Sequence, residues 1–156
     1  AIGKTTKPRK QISISLSGFV PKPFTPFQWS EQASMAELKR KRQIVCRGLE
    51  NGSSRVSWRE EFLCLLESVL SRGDERIGDL IESAFRNGCK FDGWHEFFSK
   101  EKWEKAFTET GVKAEDYLRE RPVDAQLPWD FIDFQVPRTY LENEYRLAAK
   151  AAGEQP

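Results

Sequence analysis

The stretch QISISLSGFVPKPFTPFQW, residues 11–29, decides the predicted fold. Its first part, residues 11–17, alternates isoleucine and leucine with serine, a period typical of a half-buried strand. Its second part, Phe19–Trp29, has three prolines within six residues. Each proline fixes φ near about −65° and favours extended geometry at the residue before it. The sequence therefore predicts a strand that continues into a stiff segment rich in aromatic rings, here called the proline ribbon (Phe19–Trp29).

The proline ribbon has two interpretations. In α/β folds, ligands usually bind where strands end, so the ribbon could border a binding site. Alternatively, it is a connector whose aromatic rings fill the core. The residues taken alone favour the connector.

The composition indicates one folded domain without a strong overall charge. A length of 156 residues fits a single domain, and 38% hydrophobic with 31% charged residues is typical of globular chains. The net charge of +1 gives no general attraction to nucleic acid. Basic residues do cluster before residue 11 and in the run Lys39–Arg42, but that run lies in a helical pattern that favours a solvated helix face.

The cysteines and hydropathy restrict the type of site and the compartment. Cys46, Cys64 and Cys89 are odd in number and widely spaced, and His95 is the single histidine, so we assign no metal ligands and no fully paired disulfide framework. A reduced, cytoplasmic setting is expected. No apolar run approaches the roughly 18 residues that span a bilayer, so no membrane partner is expected. The chain has no initiating Met, which predicts a fragment or a processed chain.

Most of the remaining sequence predicts helices, so the predicted fold class is α/β and mainly helical. Ser30 is the expected N-cap of the first helix, and Gly48 its expected C-terminal stop. Residues 55–58 predict a short second strand. Helical patterns cover residues 30–47, 60–72, 74–87, 99–110 and 137–152, with a shorter turn at 114–119. Ser99 is the expected N-cap of the fourth of these helices, and Gly111 is its expected stop.

Three clusters combine charges with aromatic residues and supply the candidate substrate-pocket residues. They are Arg72, Asp74 and Arg76; Asp92, Trp94 and His95; and Trp129, Asp130 and Asp133. Two carboxylates on one helical turn, as at 130 and 133, could divide acid and base roles or bind a cation. A structural role, as a capping acid or a buried ring, is favoured for each cluster. Because no nucleophile elbow or glycine-rich phosphate loop is present, no catalytic residue is assigned.

Four segments, taken in order, resemble one family. ISISLSGFVPKPFTPFQW, SRGDERIGDLIESAFRNGCKFDGW, LPWDFID and TYLENEYRLAA are similar to the C-terminal part of bacterial radical SAM proteins. More specifically, the chain resembles the largely uncharacterised group with a B12-binding-type domain ahead of the radical SAM barrel, and the similarity covers about residues 11–150. The chain departs from that pattern at Phe24, Glu75, Phe131 and Gln135, the last of which replaces an expected glycine.

The resemblance implies an architecture and a cofactor. Residues 1–58 would hold a late strand of a partial (β/α) barrel, the proline ribbon and the following helix, and residues 59–156 would form a helical C-terminal extension. Gly18, Phe19, Val20 and Pro21 would lie beside the adenine of S-adenosylmethionine. The parent protein would be a radical SAM Fe–S oxidoreductase holding a [4Fe–4S] cluster, with the use of cobalamin left open. Since the family's CxxxCxxC loop is absent here, this chain alone is expected to hold no cofactor and to be non-catalytic.

Two alternatives to this function stay open. The first is a non-catalytic binding module, for RNA, that uses the basic runs and the aromatic rings of the proline ribbon. The second is a hydrolase that uses Asp92, His95, Asp130 and Asp133, but it lacks a nucleophile. The expected partner is the remainder of the parent chain, and the sequence does not identify the substrate, whether a small molecule or RNA.

Overall fold

A computed structural model describes residues 12–49 and 54–153 of the chain. Over these residues the chain is α/β and mainly helical, which confirms the predicted class. The basic residues before residue 11 lie outside this part of the chain. The elements are β1 (Ile12–Leu16), α1 (Met35–Leu49), β2 (Ser54–Trp58), α2 (Glu61–Arg72), α3 (Arg76–Arg86), α4 (Lys100–Thr110), a 3₁₀ turn (Ala114–Tyr117) and α5 (Arg138–Ala152).

The two predicted strands are confirmed, and they pair in parallel. Ile12 lies opposite Ser54 and Leu16 lies opposite Trp58. Parallel neighbours need a crossover connection, which α1 supplies, so β1, α1 and β2 form one βαβ unit. The described residues form one sheet, which has these two strands. The barrel implied by the family resemblance stays a prediction.

The βαβ unit leaves much apolar surface open. Helix α1 has no buried residue. Ile12 on β1 is 60% exposed and Ile44 on α1 is 56% exposed. Parallel sheets normally have both faces covered by other elements, because their side chains are apolar on both sides. Within the described residues, the βαβ unit therefore lacks the layers that such a unit usually has.

The main core lies between α2, α3, α4 and the 3₁₀ turn. The predicted 3–4 spacing of apolar residues brings these helices together, and Val69, Leu80 and Ala106 are fully buried at their centre. Both ends of α4 follow the predicted signals, since Ser99 Oγ accepts a hydrogen bond from the backbone of Lys102 (3.4 Å) and caps the start of the helix. Gly111 then ends α4 with a left-handed φ of 68°.

The predicted ends of the first helix are both wrong: Ser30 is not its N-cap, and Gly48, the expected stop, lies inside the helix, which continues to Leu49. Helix α1 begins at Met35, and Ser34 Oγ accepts a hydrogen bond from the backbone of Glu37 (3.3 Å). The reason is Gln32, which is buried and makes two long-range hydrogen bonds that hold its segment out of the helix. Its backbone amide donates to the Leu118 carbonyl (2.8 Å) and its side chain donates to the Cys64 carbonyl (3.0 Å).

The sequence predicted an extended proline ribbon, but the structure is extended over only the first part of it. After Lys22 the chain folds into successive turns, in which Thr25 Oγ1 donates to the Lys22 carbonyl (2.7 Å) and the Gln28 amide donates to the Thr25 carbonyl (3.1 Å). Pro26 takes the second position of the latter turn, where its fixed φ is as suitable as it is in extended chain. The turns deliver Trp29 into a second core.

The second core lies between the proline ribbon and the C-terminal part of the chain. The ribbon therefore acts in part as the connector that the residues favoured. The buried members of the second core are Trp29, Leu127, Trp129 and Leu141.

None of the described helices combines the length and the apolar composition that crossing a bilayer requires.

Candidate functional site

A cavity of about 370 Å³ lies at the carboxyl ends of the two parallel strands. Leu16 and Trp58, the last residues of β1 and β2, both line it. Helix α1 contributes Leu38 and Val45 to its wall, and α2 contributes Cys64. Ligand sites of open α/β sheets lie at this edge, so we take this strand-end cavity as the candidate functional site.

Gly18 allows the chain to cross closely over the helices that line the strand-end cavity. A Cβ atom at this position would lie 3.1 Å from Cys64 Sγ and 3.1 Å from Leu38 Cδ1. These distances are tighter than ordinary van der Waals contacts. A glycine here therefore lets the backbone form part of the cavity wall.

One wall of the strand-end cavity is an ion pair placed against an indole ring. Arg42 Nη1 lies 2.7 Å from Glu61 Oε1, and the Arg42 guanidinium lies 4.9 Å from the centroid of the Trp58 ring. All three residues line the cavity. The pair neutralises itself, so the wall presents flat polar and aromatic groups rather than a net charge. Such a wall suits a planar ligand that stacks and forms a few hydrogen bonds.

Cys64 contributes a neutral thiol to the strand-end cavity. Its side chain is 1% exposed. Burial raises the pKa of the Cys64 thiol, and the backbone of Gly18 opposes this only in part. Because the thiolate is the nucleophilic form of cysteine, Cys64 serves as an apolar wall group.

The structure brings together two of the four residues predicted beside adenine. Gly18 and Phe19 both line the strand-end cavity. Val20 is half-buried and Pro21 is buried, and neither is among the residues that line it. The chain turns inward after Phe19, because the following prolines lead it toward Trp29 and the second core.

The predicted candidate Arg72 is buried inside the protein. Its Nη2 donates to the Arg119 carbonyl (3.1 Å) and to the Gln28 carbonyl (3.5 Å). Burial, with a smaller effect of the nearby Arg121 charge, lowers the pKa of Arg72 to about 10. Arg72 thus joins three distant segments of the chain.

Asp74 and Arg76, the other members of the first cluster, begin helix α3. Asp74 Oδ1 accepts a hydrogen bond from the backbone of Arg76 (3.1 Å), and its Oδ2 pairs with the Arg76 guanidinium (2.7 Å). Hydrogen bonding to Arg76 holds the pKa of the Asp74 carboxyl below its ordinary value. Tyr117 Oη also donates to Asp74 (3.2 Å). These contacts describe a capping acid.

The second cluster is divided between surface and interior. Trp94 and His95 are exposed. Asp92 is half-buried and lines a different cavity, beside Trp103. The structure therefore does not bring these three residues into one pocket.

The carboxylates of the third cluster have separate structural partners. Asp130 Oδ2 accepts from the Leu127 amide (2.8 Å) and pairs with Arg138 (2.8 Å). Asp133 Oδ1 accepts from the Gln135 amide (2.8 Å). Residues 127–133 form turns rather than a helix. Each of the two carboxylates is therefore held by its own set of partners.

Trp129 of the same cluster is buried, and its Nε1 donates to Gln28 Oε1 (2.7 Å). This contact ties the LPWDFID segment to the proline ribbon. Across residues 12–49 and 54–153, no group of three or more histidine, cysteine, aspartate or glutamate side chains is placed to hold a metal ion.

Most of the basic run Lys39–Arg42 already has acidic partners. Arg40 lies 2.7 Å from Glu37, and Lys41 lies 3.7 Å from the same side chain. Arg42 pairs with Glu61, as described above. This pairing weakens the RNA alternative, which needs cations that are free to meet phosphates.

Sequence reasoning missed the ion pair and the indole ring of the strand-end cavity. The available signal was the second strand, since two parallel strands place their last residues at one edge. Trp58 could have been found in this way. Arg42 and Glu61 could not, because their contact depends on how α1 packs against α2.

Comparison with protein-family models, with curated proteins and with solved structures gave no significant match. The strand-end cavity and the open βαβ unit are therefore the features of this chain that bear on its function.

Proposed function

We propose that this chain is the C-terminal segment of a radical SAM Fe–S oxidoreductase, where it completes a (β/α) barrel and shapes the pocket for S-adenosylmethionine and substrate. The observation that carries the proposal is the open βαβ unit, with its cavity at the carboxyl ends of β1 and β2. It supports a segment that functions as part of a larger sheet.

The two strands of the sheet have edges that no other described strand covers. In the described part of the chain, β1 and β2 pair only with each other, so each has one edge without a strand partner. Unpaired strand edges and exposed parallel strands are unfavourable unless other elements cover them. Preceding strands of a barrel would pair with an open edge, and the apolar side of α1 would pack against a neighbouring helix.

The lining of the strand-end cavity supports a role toward a purine. Phe19 and Trp58 provide aromatic surface, and Leu38 and Val45 provide aliphatic surface. The backbone at Gly18 offers hydrogen-bonding groups to the edge of a base. Aromatic and aliphatic walls with a few polar groups are the usual environment of such ligands.

The described residues do not fit a [4Fe–4S] cluster. Cys46 lies on α1, Cys64 lies on α2, and Cys89 follows α3, so the cysteines lie on separate parts of the fold. The proposal therefore assigns the cluster, and the electron that it supplies to S-adenosylmethionine, to the parent chain. The role of this segment is to bind and orient.

The test uses the complete natural chain that contains this sequence, reconstituted anaerobically with iron and sulfide. With S-adenosylmethionine and dithionite, we expect 5′-deoxyadenosine, measured by liquid chromatography. A natural chain without a CxxxCxxC motif, or without 5′-deoxyadenosine formation, would overturn the proposal. So would stoichiometric, air-sensitive iron bound by the 156-residue chain alone.

A matched pair of glycine variants tests the strand-end cavity itself. Gly18→Ala places a methyl group within 3.1 Å of Cys64 and Leu38, so we expect S-adenosylmethionine binding to weaken with the iron content unchanged. Gly78→Ala is the control, because a Cβ atom there meets nothing within 4 Å. Equal affinity in both variants would place the cofactor elsewhere.

A further inference from the structure

A second cavity, of about 420 Å³, lies between α2, the segment 92–98 and α4. It has no residue in common with the strand-end cavity except Arg59. Leu63, Leu66 and Leu70 on successive turns of α2 form one wall, and Phe98 lies on another. The second cavity therefore has an apolar interior of a size suited to a small organic group.

Two residues that line the second cavity, Asp92 and Trp103, each have a buried polar atom without a hydrogen-bond partner among the described residues. Trp103 is 5% exposed, and its Nε1 is a buried donor without an acceptor among the described residues. Oδ1 of Asp92 is a buried acceptor that likewise has no donor within residues 12–49 and 54–153. Both residues line the second cavity. Buried polar groups are nearly always paired, so one unpaired donor and one unpaired acceptor at the same cavity need an explanation.

The other charges at the second cavity are already satisfied. Glu67 pairs with Lys22 at 2.5 Å and with Arg59 at 3.1 Å, and all three residues line the cavity. These groups therefore offer a ligand less than Asp92 and Trp103 do. The unmet requirement is one acceptor and one donor beside an apolar wall.

We propose that the second cavity binds a neutral carboxamide carried on an apolar body. The amide N–H of the ligand donates to Asp92, and the amide C=O accepts from Trp103 Nε1. An ammonium group could serve only Asp92, and a carboxylate could serve only Trp103 and would be repelled by Asp92. Asp92 lies between α3 and α4, and binding requires its buried carboxylate oxygen to turn toward the ligand. This inference does not depend on the barrel proposal.

The experiment compares three probes that share a phenylalkyl body, using protein labelled with 5-fluorotryptophan. The probes are 3-phenylpropanamide, 3-phenylpropionate and 2-phenylethylammonium, and the readout is the fluorine resonance of Trp103, assigned from the Trp103→Phe variant. We expect 3-phenylpropanamide to shift this resonance saturably and to bind at least about tenfold more tightly than either ion, because it alone satisfies both atoms. No saturable shift with the amide would overturn the proposal, and so would equal or tighter binding of either ion.

Two aspartate variants separate recognition from general stability. Asp92→Ala removes the acceptor, so we expect the amide to bind at least about tenfold more weakly. Asp124→Ala is the control, since Asp124 is exposed and lines neither cavity. Thermal unfolding of both variants checks that the fold is kept. Unchanged amide binding in a folded Asp92→Ala protein would show that Asp92 is not the recognition group.

Discussion

At the scale of single residues, three non-glycine residues in the described part of the chain have backbone conformations that favour glycine. Phe24, Phe91 and Gln135 have φ values of 60°, 59° and 60°. The left-handed region brings Cβ close to the backbone and is uncommon for residues other than glycine. Gln135 stands where the sequence resemblance predicts a glycine, the residue that adopts this region without strain. The departure from that pattern thus has a local energetic cost.

The variant Gln135→Gly tests this cost. Gln135 is exposed, and its backbone amide donates a hydrogen bond to Asp133 Oδ1, a contact that glycine retains. We expect the free energy of unfolding to rise by about 0.5–1 kcal/mol, because relief of the left-handed strain exceeds the added entropy of the unfolded chain. Denaturant titration measures the change.

The matched control for Gln135→Gly is Gln126→Gly, at an exposed position without a positive φ. There, glycine adds only unfolded-state entropy, so the variant should be less stable than the parent. Destabilisation by Gln135→Gly of the same size as in the control would contradict the strain interpretation.

At the scale of elements, helix α3 depends on Asp74, which lies two residues before the first helical residue, Arg76. We expect Asp74→Ala to lower the free energy of unfolding by about 1 kcal/mol at pH 7, because the cap of Arg76 is lost. The pKa of Asp74 is lower in the folded protein than its ordinary value of 3.8, so the carboxylate stabilises the fold above that pH. The stabilisation is lost as the pH falls through the folded-state pKa.

The difference between parent and Asp74→Ala should therefore shrink when unfolding is measured below about pH 3.8, the ordinary value of the group. Urea titrations at several pH values provide the measurement. A difference that stays constant down to pH 2 would show that the charge of Asp74 is not what stabilises α3. The variant Asp79→Ala, on an exposed position of the same helix, serves as the control.

The elements also show which structural features a sequence can predict. The strands, α2, α3 and α4 were predicted because their signals are local: alternation, 3–4 spacing, Ser99 and Gly111. The start of α1 was not, because the hydrogen bonds of Gln32 reach residues far along the chain. The turns of the proline ribbon were missed because proline suits both turns and extended chain.

The same division applies to the strand-end cavity. Gly18 and Phe19 were predicted to border a cofactor, and they do line the cavity, since they directly follow a predicted strand. Arg42 and Glu61 come from two different helices, and only the packing of those helices brings them together. Long-range packing of this kind leaves no pattern in a single sequence.

At the scale of the whole molecule, the two cores and the βαβ unit differ in how well they are packed. Helix α2 buries residues along most of its length, whereas α1 buries none. We expect amide hydrogen exchange, read by mass spectrometry, to be slow in α2 and much faster in α1 and β1. Protection of α1 equal to that of α2 in this chain alone would contradict the view that the βαβ unit lacks covering layers.

The role proposed above predicts that, within a longer parent chain, the same measurement shows slow exchange in α1 and β1. That change would be the direct signature of neighbouring strands and helices packed against the βαβ unit. Exchange that stays fast there would separate this chain from any larger sheet.

The pairing of β1 with β2 also has a consequence for the order of folding. Ile12 pairs with Ser54, which lies 42 residues further along the chain, whereas α3 and α4 are joined by a connection of 13 residues. Closing a long loop costs more chain entropy than packing neighbouring helices, so the helical core should collapse first and the strand pair should form last. A sheet edge that is completed late stays open while the helices are already folded. Under the role proposed above, strands of a parent chain would pair with this sheet edge last, after the helical core has formed.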